Sequence, residues 1–363
     1  MVNFDKINLI GLSHDEICSE LLQFGIPKRS VSMRASQIWH WIYFHGAKRF
    51  SEMSSISKEL QLSLDKAFDI SRPNISNYKK SKDGTQKWLV EFDNNSDVET
   101  VYIPESDRGS LCVSSQVGCI LNCSFCYTGT MPLVRNLEAS EIVSQFLIAR
   151  DSLLDWPEYN NNRFLSNIIM MGMGEPLYNY GEVLKSLKIF MDPNGINISK
   201  RKITLSTAGV VPMIDQLGKD LAVGLAISLH AVNDELRNEL VPINKKYPLK
   251  ELIKTLSLYP QAKNSRRITF EYVMLRGIND SEADARELCK LISGIPAKIN
   301  LIPFNPWPNS PYECSSKKAI ESFSNIINKA GYSSPIRRPR GRDIMAACGQ
   351  LKSESERIKN RNK

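Results

Sequence analysis

The sequence has no run of about 20 apolar residues that could cross a bilayer. Its first residues have neither the basic start nor the continuous apolar segment of a secretion signal, and we find no internal repeat or low-complexity segment. These absences exclude membrane-spanning and repeat architectures. We expect a globular protein that works in the cytoplasm without a membrane partner.

Cysteine is sparse, with eight residues in a chain of 363. In a chain without a secretion signal, such thiols favour metal binding or catalysis over a disulfide framework. The length allows two or three domains, and a hydrophobic content of 42% can fill a sizeable core.

The net charge is +8, and basic residues are concentrated in four runs, at 79–82, 245–246, 337–342 and 357–363. A single basic run is more often a solvated face than a binding site. Several runs around one catalytic core favour a nucleic-acid partner.

Three cysteines, Cys119, Cys123 and Cys126, stand within eight residues at the spacing Cys-x3-Cys-x2-Cys. They match three corners of a [4Fe-4S] cluster, whose fourth iron can be chelated by the amino and carboxylate groups of S-adenosylmethionine (SAM). The pattern therefore predicts radical-SAM chemistry, in which the cofactor carries the reaction and the protein positions it. The alternatives are a zinc site with a remote fourth ligand, a disulfide, or cysteines that only pack.

The N-terminal stretch, residues 1 to about 80, has apolar residues at helical spacing, with a helix start at 13–16. We expect a helical accessory domain over 1–82. Its densest aromatic stripe, at 35–44, is typical of a core, and RNA stacking by Trp39 or Tyr43 is the alternative.

A β-hairpin is predicted over 83–104, where the apolar period changes to two. Its strands are 88–92 and 98–103, joined by a polar turn at 93–97. Glu99 lies on the second strand, shortly before the cysteine region.

Strands and helices alternate over 105–341, which is the predicted core domain. The predicted strands are 111–115, 167–172, 202–206, 223–228, 268–275 and 298–303. Six strands with crossover helices imply a parallel sheet wound with one hand. We expect a partial (β/α)6 barrel rather than an open doubly wound sheet, because the cysteine loop leaves the end of the first strand.

Polar residues and glycines follow these predicted strands, where barrel enzymes collect their chemistry. A glycine-rich turn ends in Gly174 and Glu175, whose carboxylate suits the ammonium group of SAM. Hydroxyl, imidazole and amide groups suited to the rest of SAM are expected in the segments that contain Ser206, Ser228, Leu229, His230 and Asn305. A tight turn, a core histidine and a turn-forming asparagine are the structural alternatives.

The chain resembles the dual-specificity 23S rRNA and tRNA adenine-C2 methyltransferases of the radical-SAM superfamily. The resemblance runs from about 98 to 350 and is carried by the segments 98–104, 112–119, 172–176, 227–230, 241–247 and 346–351. The N-terminal helices match mainly at 34–39. The segment 131–133 departs from the family, since a glutamine-containing turn is expected there.

The resemblance implies an α/β fold, a partial (β/α)6 radical-SAM barrel with a helical N-terminal accessory domain that binds RNA and a small β-hairpin extension. A C-terminal segment, 342–363, would carry the methyl-accepting Cys348 and a basic tail. The implied substrates are adenine 2503 of 23S rRNA and adenine 37 of tRNA. One [4Fe-4S] cluster per chain, an electron donor such as a flavodoxin and a monomeric state are also implied.

The mechanism implied by the resemblance uses two SAM molecules. One methylates Cys348, and the other is cleaved to a 5′-deoxyadenosyl radical that takes hydrogen from the S-methyl group. The resulting carbon adds to C2 of adenine. Glu99 would then accept the C2 proton, and Cys112 would release the product through a transient disulfide with Cys348.

Three other functions remain open from the sequence. The related adenine-C8 methyltransferases share the same thiols, a radical-SAM enzyme could act on a protein or metabolite, and a zinc or iron–sulfur RNA-binding protein would be non-catalytic. The remaining cysteines, Cys18, Cys289 and Cys314, are expected to be inert.

Overall fold

A mixed sheet of nine strands forms the centre of the described part of the chain. The computed structural model describes residues 6–92, 96–106, 108–157, 163–260, 262–263 and 266–353. The basic run at 357–363 and residues 93–95 of the predicted hairpin turn lie outside the described residues.

The strands in the described ranges are β1 (Ile7–Asn8), β2 (Phe68–Asp69), β3 (Asn74–Lys80), β4 (Gln86–Phe92), β5 (Ser96–Pro104), β6 (Gly109–Cys112), β7 (Gln116–Val117), β8 (Arg135–Asn136), β9 (Asn167–Met170), β10 (Ile203–Thr207), β11 (Gly224–Ser228), β12 (Ile268–Met274) and β13 (Ala297–Pro303). The α-helices are α1 (His14–Gln23), α2 (Lys28–His40), α3 (Lys58–Ala67), α4 (Ala139–Leu153), α5 (Tyr180–Met191), α6 (Val211–Asp220), α7 (Asp234–Leu240), α8 (Leu249–Ser257), α9 (Glu282–Leu291) and α10 (Lys317–Lys329).

Six strands of this sheet, β6 and β9 to β13, are parallel and lie side by side in chain order. A doubly wound sheet would reverse its strand order at a switch point, whereas a barrel wall adds each new strand on the same side. The sheet runs from one edge strand to another, so the barrel is partial. The predicted (β/α)6 architecture is confirmed.

The N-terminal helices pack through the predicted aromatic stripe. Trp39 and Tyr43 are buried. The indole of Trp39 donates to Asp192 at the end of α5 (3.1 Å), and the Tyr43 hydroxyl accepts the Gly11 N–H (2.9 Å). Both rings are therefore core residues that fix this layer against the barrel, and the RNA-stacking alternative is wrong for them.

The predicted helical stretch extends too far, because residues 74–80 form β3. This strand pairs antiparallel with β4 and is exposed along its whole length. The helical apolar pattern ends with α3, and Pro73 disfavours a helical conformation of the residue before it. The predicted hairpin is present as β4 and β5, and β3 widens it into a three-stranded antiparallel extension of the barrel sheet.

The first two parallel strands end earlier than predicted, at Cys112 and at Met170. Beyond Cys112, the backbone of Ser114 is held by the Gln145 side chain of α4, which accepts the Ser114 N–H (2.9 Å) and donates to the Ser114 carbonyl (3.0 Å). A side chain thus replaces the sheet ladder where the chain turns towards the cysteine loop.

None of the described helices is long and apolar enough to span a membrane.

Candidate active site

The cysteine loop lies between the short paired strands β7 and β8 and lines a cavity of about 150 Å³ at the carboxyl ends of the parallel strands. Cys119, Cys123 and Cys126 all contribute to this lining, which we call the cluster cavity. The loop needs Gly118 at its start, because φ is +79° and a Cβ would meet the Pro132 carbonyl oxygen at 2.1 Å. The predicted triad is therefore assembled on one cavity.

The three cysteines are half-buried, and desolvation of their thiols raises the pKa of each of them, that of Cys119 to about 12. Thiolates at this place therefore need compensating positive charge, which a metal centre supplies. Among the described residues, no three His, Cys, Asp or Glu side chains are placed to hold one metal ion. Three thiols are one short of a closed structural zinc site, whereas an iron–sulfur cluster takes each thiolate on a different iron and leaves a fourth iron for another ligand.

Glu175 lines the same cavity and is buried in the turn that follows β9. One carboxylate oxygen accepts the Ala208 N–H (2.8 Å), and the other accepts the Leu177 N–H (3.1 Å). Burial raises the pKa of Glu175 to about 7, against the lowering effect of these donors. Gly174 permits the turn, with φ at +97° and a Cβ that would lie 2.4 Å from the Cβ of Gln116. A cationic ligand bound here would neutralise the negative charge of a carboxylate that is already held in place.

Hydrogen-bonding groups from the next two strands reach the cluster cavity as expected. Ser206 and Ser228 line it, and so does His230. The Nδ1 atom of His230 accepts the Val273 N–H (3.0 Å), so the neutral ring carries its hydrogen on Nε2. Burial lowers the pKa of His230 to about 3, which keeps the ring neutral. The ring is thus a fixed neutral donor.

Two of the predicted contacts differ from expectation. Leu229 is fully buried outside the lining, since alternate side chains at a strand end point to opposite sides. Asn305 lines the cavity, but its amide already donates to the Cys348 carbonyl (3.2 Å) and accepts from Arg342 (2.8 Å). Asn305 therefore holds Arg342 and Cys348 in place.

Residues 345–352, a part of the predicted segment 342–363, cross the cysteine loop and bring Cys348 to the cluster cavity. From here on, the name C-terminal segment means residues 345–352. The Tyr127 N–H donates to the Gly349 carbonyl (2.8 Å), and the Thr128 hydroxyl donates to the Leu351 carbonyl (2.6 Å). Cys348 is exposed and lines the cluster cavity. The thiol remote in sequence therefore faces the same space as the triad.

A second cavity, of about 290 Å³, lies on the other side of Cys348 and is lined by both Cys348 and Cys112. We call it the outer cavity. Arg337 also lines it and forms an ion pair with Glu271 (3.5 Å). Although the Cys348 residue as a whole is exposed, desolvation of its thiol at the cavity wall raises the pKa of Cys348, and the Arg337 guanidinium opposes that rise. Burial also raises the pKa of Cys112. All cysteines of the described chain are free thiols, so the predicted disulfide is not formed in this state.

Glu99 lines neither cavity. Its carboxylate pairs with Lys87 (2.7 Å) and accepts the Lys352 N–H (3.0 Å), so the C-terminal segment covers it. Burial raises the pKa of Glu99, and the Lys87 ammonium group opposes that shift. A base role for Glu99 requires the segment after Cys348 to move.

Sequence reasoning missed Glu271 and Arg237. Glu271 lines the cluster cavity on β12, and its Oε2 atom is buried without a hydrogen-bond partner in the described structure. The sequence feature that could have identified Glu271 is an acidic residue within the mostly apolar strand β12. Arg237 is fully buried on α7 and donates to the carbonyl oxygens of Ala208, Ser228 and Leu229, which fixes the ends of β10 and β11. No local pattern marks that arginine.

Comparison with known families gives two matches along the chain. Residues 113–289 match the model of the radical SAM superfamily, and residues 7–70 match that of the ribosomal RNA large subunit methyltransferase N-terminal domain. The second match ends before β3, so β3 belongs to neither matched stretch.

Two curated relatives, both named dual-specificity RNA methyltransferase RlmN, are similar over nearly their whole length. The protein from Chelativorans sp. is 58% identical over 98% of this chain and 90% of its own. The one from Bradyrhizobium sp. (strain BTAi1) is 58% identical over 99% and 91%. A crystal structure of a radical SAM methyltransferase from Sphaerobacter thermophilus superposes with a TM-score of 0.88 at 40% identity, covering 96% of this chain and 100% of that one.

Proposed function

Since the chain belongs to the RlmN family of dual-specificity radical SAM RNA methyltransferases, we propose that it methylates C2 of adenine 2503 in 23S rRNA and of adenine 37 in tRNA. The observation that carries the proposal is the position of Cys348 between two cavities. One of them contains the cysteine triad, and the other contains Cys112 and Arg337.

The family uses a [4Fe-4S] cluster and SAM, and the lining of the cluster cavity fits both. The three thiols of the cysteine triad would hold three irons. Glu175 would take the ammonium group of SAM, while Ser206, Ser228 and His230 offer hydrogen bonds to its other polar groups. The partnerless oxygen of Glu271 also calls for a hydrogen-bond donor from a ligand. When bound, these cofactors supply a methyl group and a hydrogen-abstracting radical.

Cys348 would be the methyl carrier. Adenine C2 is a poor nucleophile, so a direct methyl transfer to it faces a high barrier. A thiolate accepts a methyl group readily, and Arg337 favours that ionised form. After loss of one hydrogen, the sulfur-bound carbon would add to C2 and tie the RNA covalently to Cys348.

Cys112 would release the product by attacking the Cys348 sulfur as a thiolate. The new S–S bond would replace the bond from that sulfur to the transferred carbon, and the electron pair left on the carbon would take up a proton to complete the methyl group. Both thiols line the outer cavity, and Arg337 is the cation next to them. The electrostatic effect of these thiols raises the pKa of Arg337, against the lowering by burial, so the guanidinium stays charged. A charged arginine would stabilise whichever thiol is ionised during the exchange.

The outer cavity is the proposed place for the adenine. Its wall includes Arg338 and Arg340 besides Arg337, so a basic surface adjoins the carrier thiol. An adenine must leave its stack to reach this depth, and therefore we expect a loop or an unfolded RNA segment as substrate. Phosphate contacts by this run would make binding weaken steeply with salt.

The proposed reaction also needs a source of electrons. An external one-electron donor of the flavodoxin type would reduce the cluster. One chain would form a complete site, so a monomer suffices. We also propose that the reaction takes place in the cytoplasm, which the proposed RNA substrates and the free thiols of the described residues support.

Nucleoside mass spectrometry tests the function. Anaerobically reconstituted protein is incubated with SAM, a reductant and unmodified 23S rRNA or tRNA, and we expect 2-methyladenosine together with 5′-deoxyadenosine. 8-Methyladenosine would replace the C2 assignment. Deoxyadenosine without any methylated nucleoside would point to a protein or metabolite substrate, and a colourless zinc protein with neither product would end the enzymatic account.

Replacement of Cys112 by alanine is expected to accumulate a covalent protein–RNA adduct, because the carrier sulfur then has no partner thiol. Denaturing gels and mass spectrometry of the nuclease-treated chain would detect it. The matched control is Cys289→Ala, which removes a thiol from α9 without touching either cavity. Free methylated product at the wild-type yield from Cys112→Ala would show that another group performs the release.

Glu175→Gln is expected to weaken SAM binding by roughly ten- to a hundredfold, since a hydrogen bond to a charged group contributes about 1.5–3 kcal/mol. In the wild type, affinity should rise with pH through about 7, because the ionised carboxylate is the form that attracts an ammonium group. The glutamine variant should lose that part of the pH dependence, which equilibrium binding to the reconstituted protein measures. Equal affinities and equal pH profiles would remove Glu175 from the SAM site.

A further inference from the structure

Lys87, on β4, is a buried lysine that contacts both Glu99 and the C-terminal segment. Its ammonium group lies 2.7 Å from Oε1 of Glu99, and both side chains are 8% exposed. The same ammonium group donates to the Met345 carbonyl (2.9 Å). The other carboxylate oxygen of Glu99, Oε2, accepts the Lys352 N–H (3.0 Å).

The ion pair thus joins the two ends of the segment that carries Cys348. Met345 and Lys352 bracket the carrier thiol, and each is bonded to one member of the pair. The peptide groups of Glu99 are fixed as well, because its N–H lies 3.4 Å from the Met173 sulfur and its carbonyl accepts the Ser114 hydroxyl (2.6 Å). The carboxylate is therefore held in a defined relation to the carrier.

Stability alone does not explain a charged pair at this place. Taking two charges out of water costs about as much as their attraction returns, and apolar replacements of buried pairs are often neutral or stabilising. The neighbours of Lys87 along β4, Trp88 to Val90, are buried and apolar. A role in the reaction accounts for the retained charge.

The charged groups that act on the Glu99 carboxyl come from two strands. Lys87 on β4 is the close one and Lys79 on β3 the weaker one, and the C-terminal segment adds the Lys352 N–H. Burial raises the pKa of Glu99, and these groups work against it. Without Lys87, Glu99 would therefore hold its proton to a higher pH.

We propose that Lys87 is a positioning residue that keeps Glu99 ionised and aimed to accept the proton from C2 of the adenine bound to Cys348. The inference rests on the proposed function. In this step the C2–H bond breaks, the proton goes to a carboxylate oxygen of Glu99, and the electron pair stays in the ring, which returns the unpaired electron left by the radical addition to the one-electron redox partner. Lys87 holds Oε1, which leaves Oε2 to the proton once the Lys352 N–H withdraws.

The test is the decay of the protein–RNA adduct in single turnovers of Lys87→Met, followed across pH. Lys87→Met keeps the approximate length of the side chain and removes its positive charge. Lys87→Arg is the control, because it keeps the charge. We expect adduct decay to slow by about tenfold for each unit that the pKa of Glu99 rises. The rate should recover as the pH increases, since a raised pKa delays ionisation, and Lys87→Arg should restore the wild-type profile.

Two comparisons separate this role from a structural one. Methyl loading of Cys348 in the purified variant shows that the fold and the cofactor site are intact. If Lys87 acts through Glu99, the double variant Lys87→Met/Glu99→Gln should decay at the rate of Glu99→Gln alone. The double variant has two neutral side chains and therefore no unpaired buried charge. It can be compared with Glu99→Gln even if Lys87→Met alone does not fold.

Three results would overturn the role of Lys87: unchanged adduct decay in Lys87→Met, slowing with an unshifted pH profile, or a further loss in the double variant. Failure of the proposed function looks different, because the wild-type protein itself would then form neither adduct nor 2-methyladenosine.

Discussion

Alanine at position 348 is expected to leave the RNA unmethylated and the purified chain without a bound methyl group. The Cys348 thiol lines both cavities. Among the residues that the two cavities share, it is the strongest nucleophile. Losing a covalent carrier typically costs more than about a thousandfold in rate. Mass spectrometry of the intact chain and of the nucleosides would measure both losses.

The fold and the cluster should survive this change. Cys348 is exposed, and the segment around it is anchored by hydrogen bonds from the Tyr127 N–H and the Thr128 hydroxyl. Iron content should therefore match the wild type. Cys348→Ser is the matched variant, since it keeps a hydrogen-bonding group of similar size but replaces the thiol by a hydroxyl. Product from either variant at a tenth of the wild-type rate or more would refute the carrier role.

Cys123→Ala is expected to abolish the cluster and, with it, reductive cleavage of SAM. Cys123 belongs to the triad on the cluster cavity, and burial raises the pKa of its thiol well above the usual value against the lowering effect of Arg237, so a bound metal centre would stabilise its thiolate further. Two remaining thiols cannot hold three irons. The loss should appear in iron content, in visible absorbance and in 5′-deoxyadenosine formation after anaerobic reconstitution.

The control for this variant is Cys314→Ala, which removes one thiol outside both cavities. It should keep wild-type iron and wild-type SAM cleavage. Full iron loading and deoxyadenosine production by Cys123→Ala would mean that the triad does not ligate the cluster. Other residues would then have to be its ligands.

Local pattern was enough to predict the barrel. Each parallel strand is a short apolar run between turn signals, and their number and order followed from strict alternation with helices. The triad, Glu175 and His230 could be assigned because strand-end positions converge at one edge of a parallel sheet. Cys348 came from family resemblance alone, since nothing in its spacing links it to the triad.

Long-range pairing explains the misses. Residues 74–80 form a strand because β4 offers them a partner, which the local sequence does not reveal. Lys87 reads as an ordinary polar residue of a hairpin, and only the C-terminal segment and Glu99 bury it. Leu229 was included with its neighbours, although alternation at the strand end turns it away from the cavity.

The most direct measurement follows the methyl group from the protein to the RNA. The chain is produced with methionine whose methyl group is deuterated, purified away from SAM, and given unlabelled SAM and RNA for one turnover. The first 2-methyladenosine should carry two deuterium atoms, because Cys348 donates its own carbon after losing one hydrogen. An unlabelled first product would contradict the account, since the methyl carbon would then reach adenine without passing through Cys348.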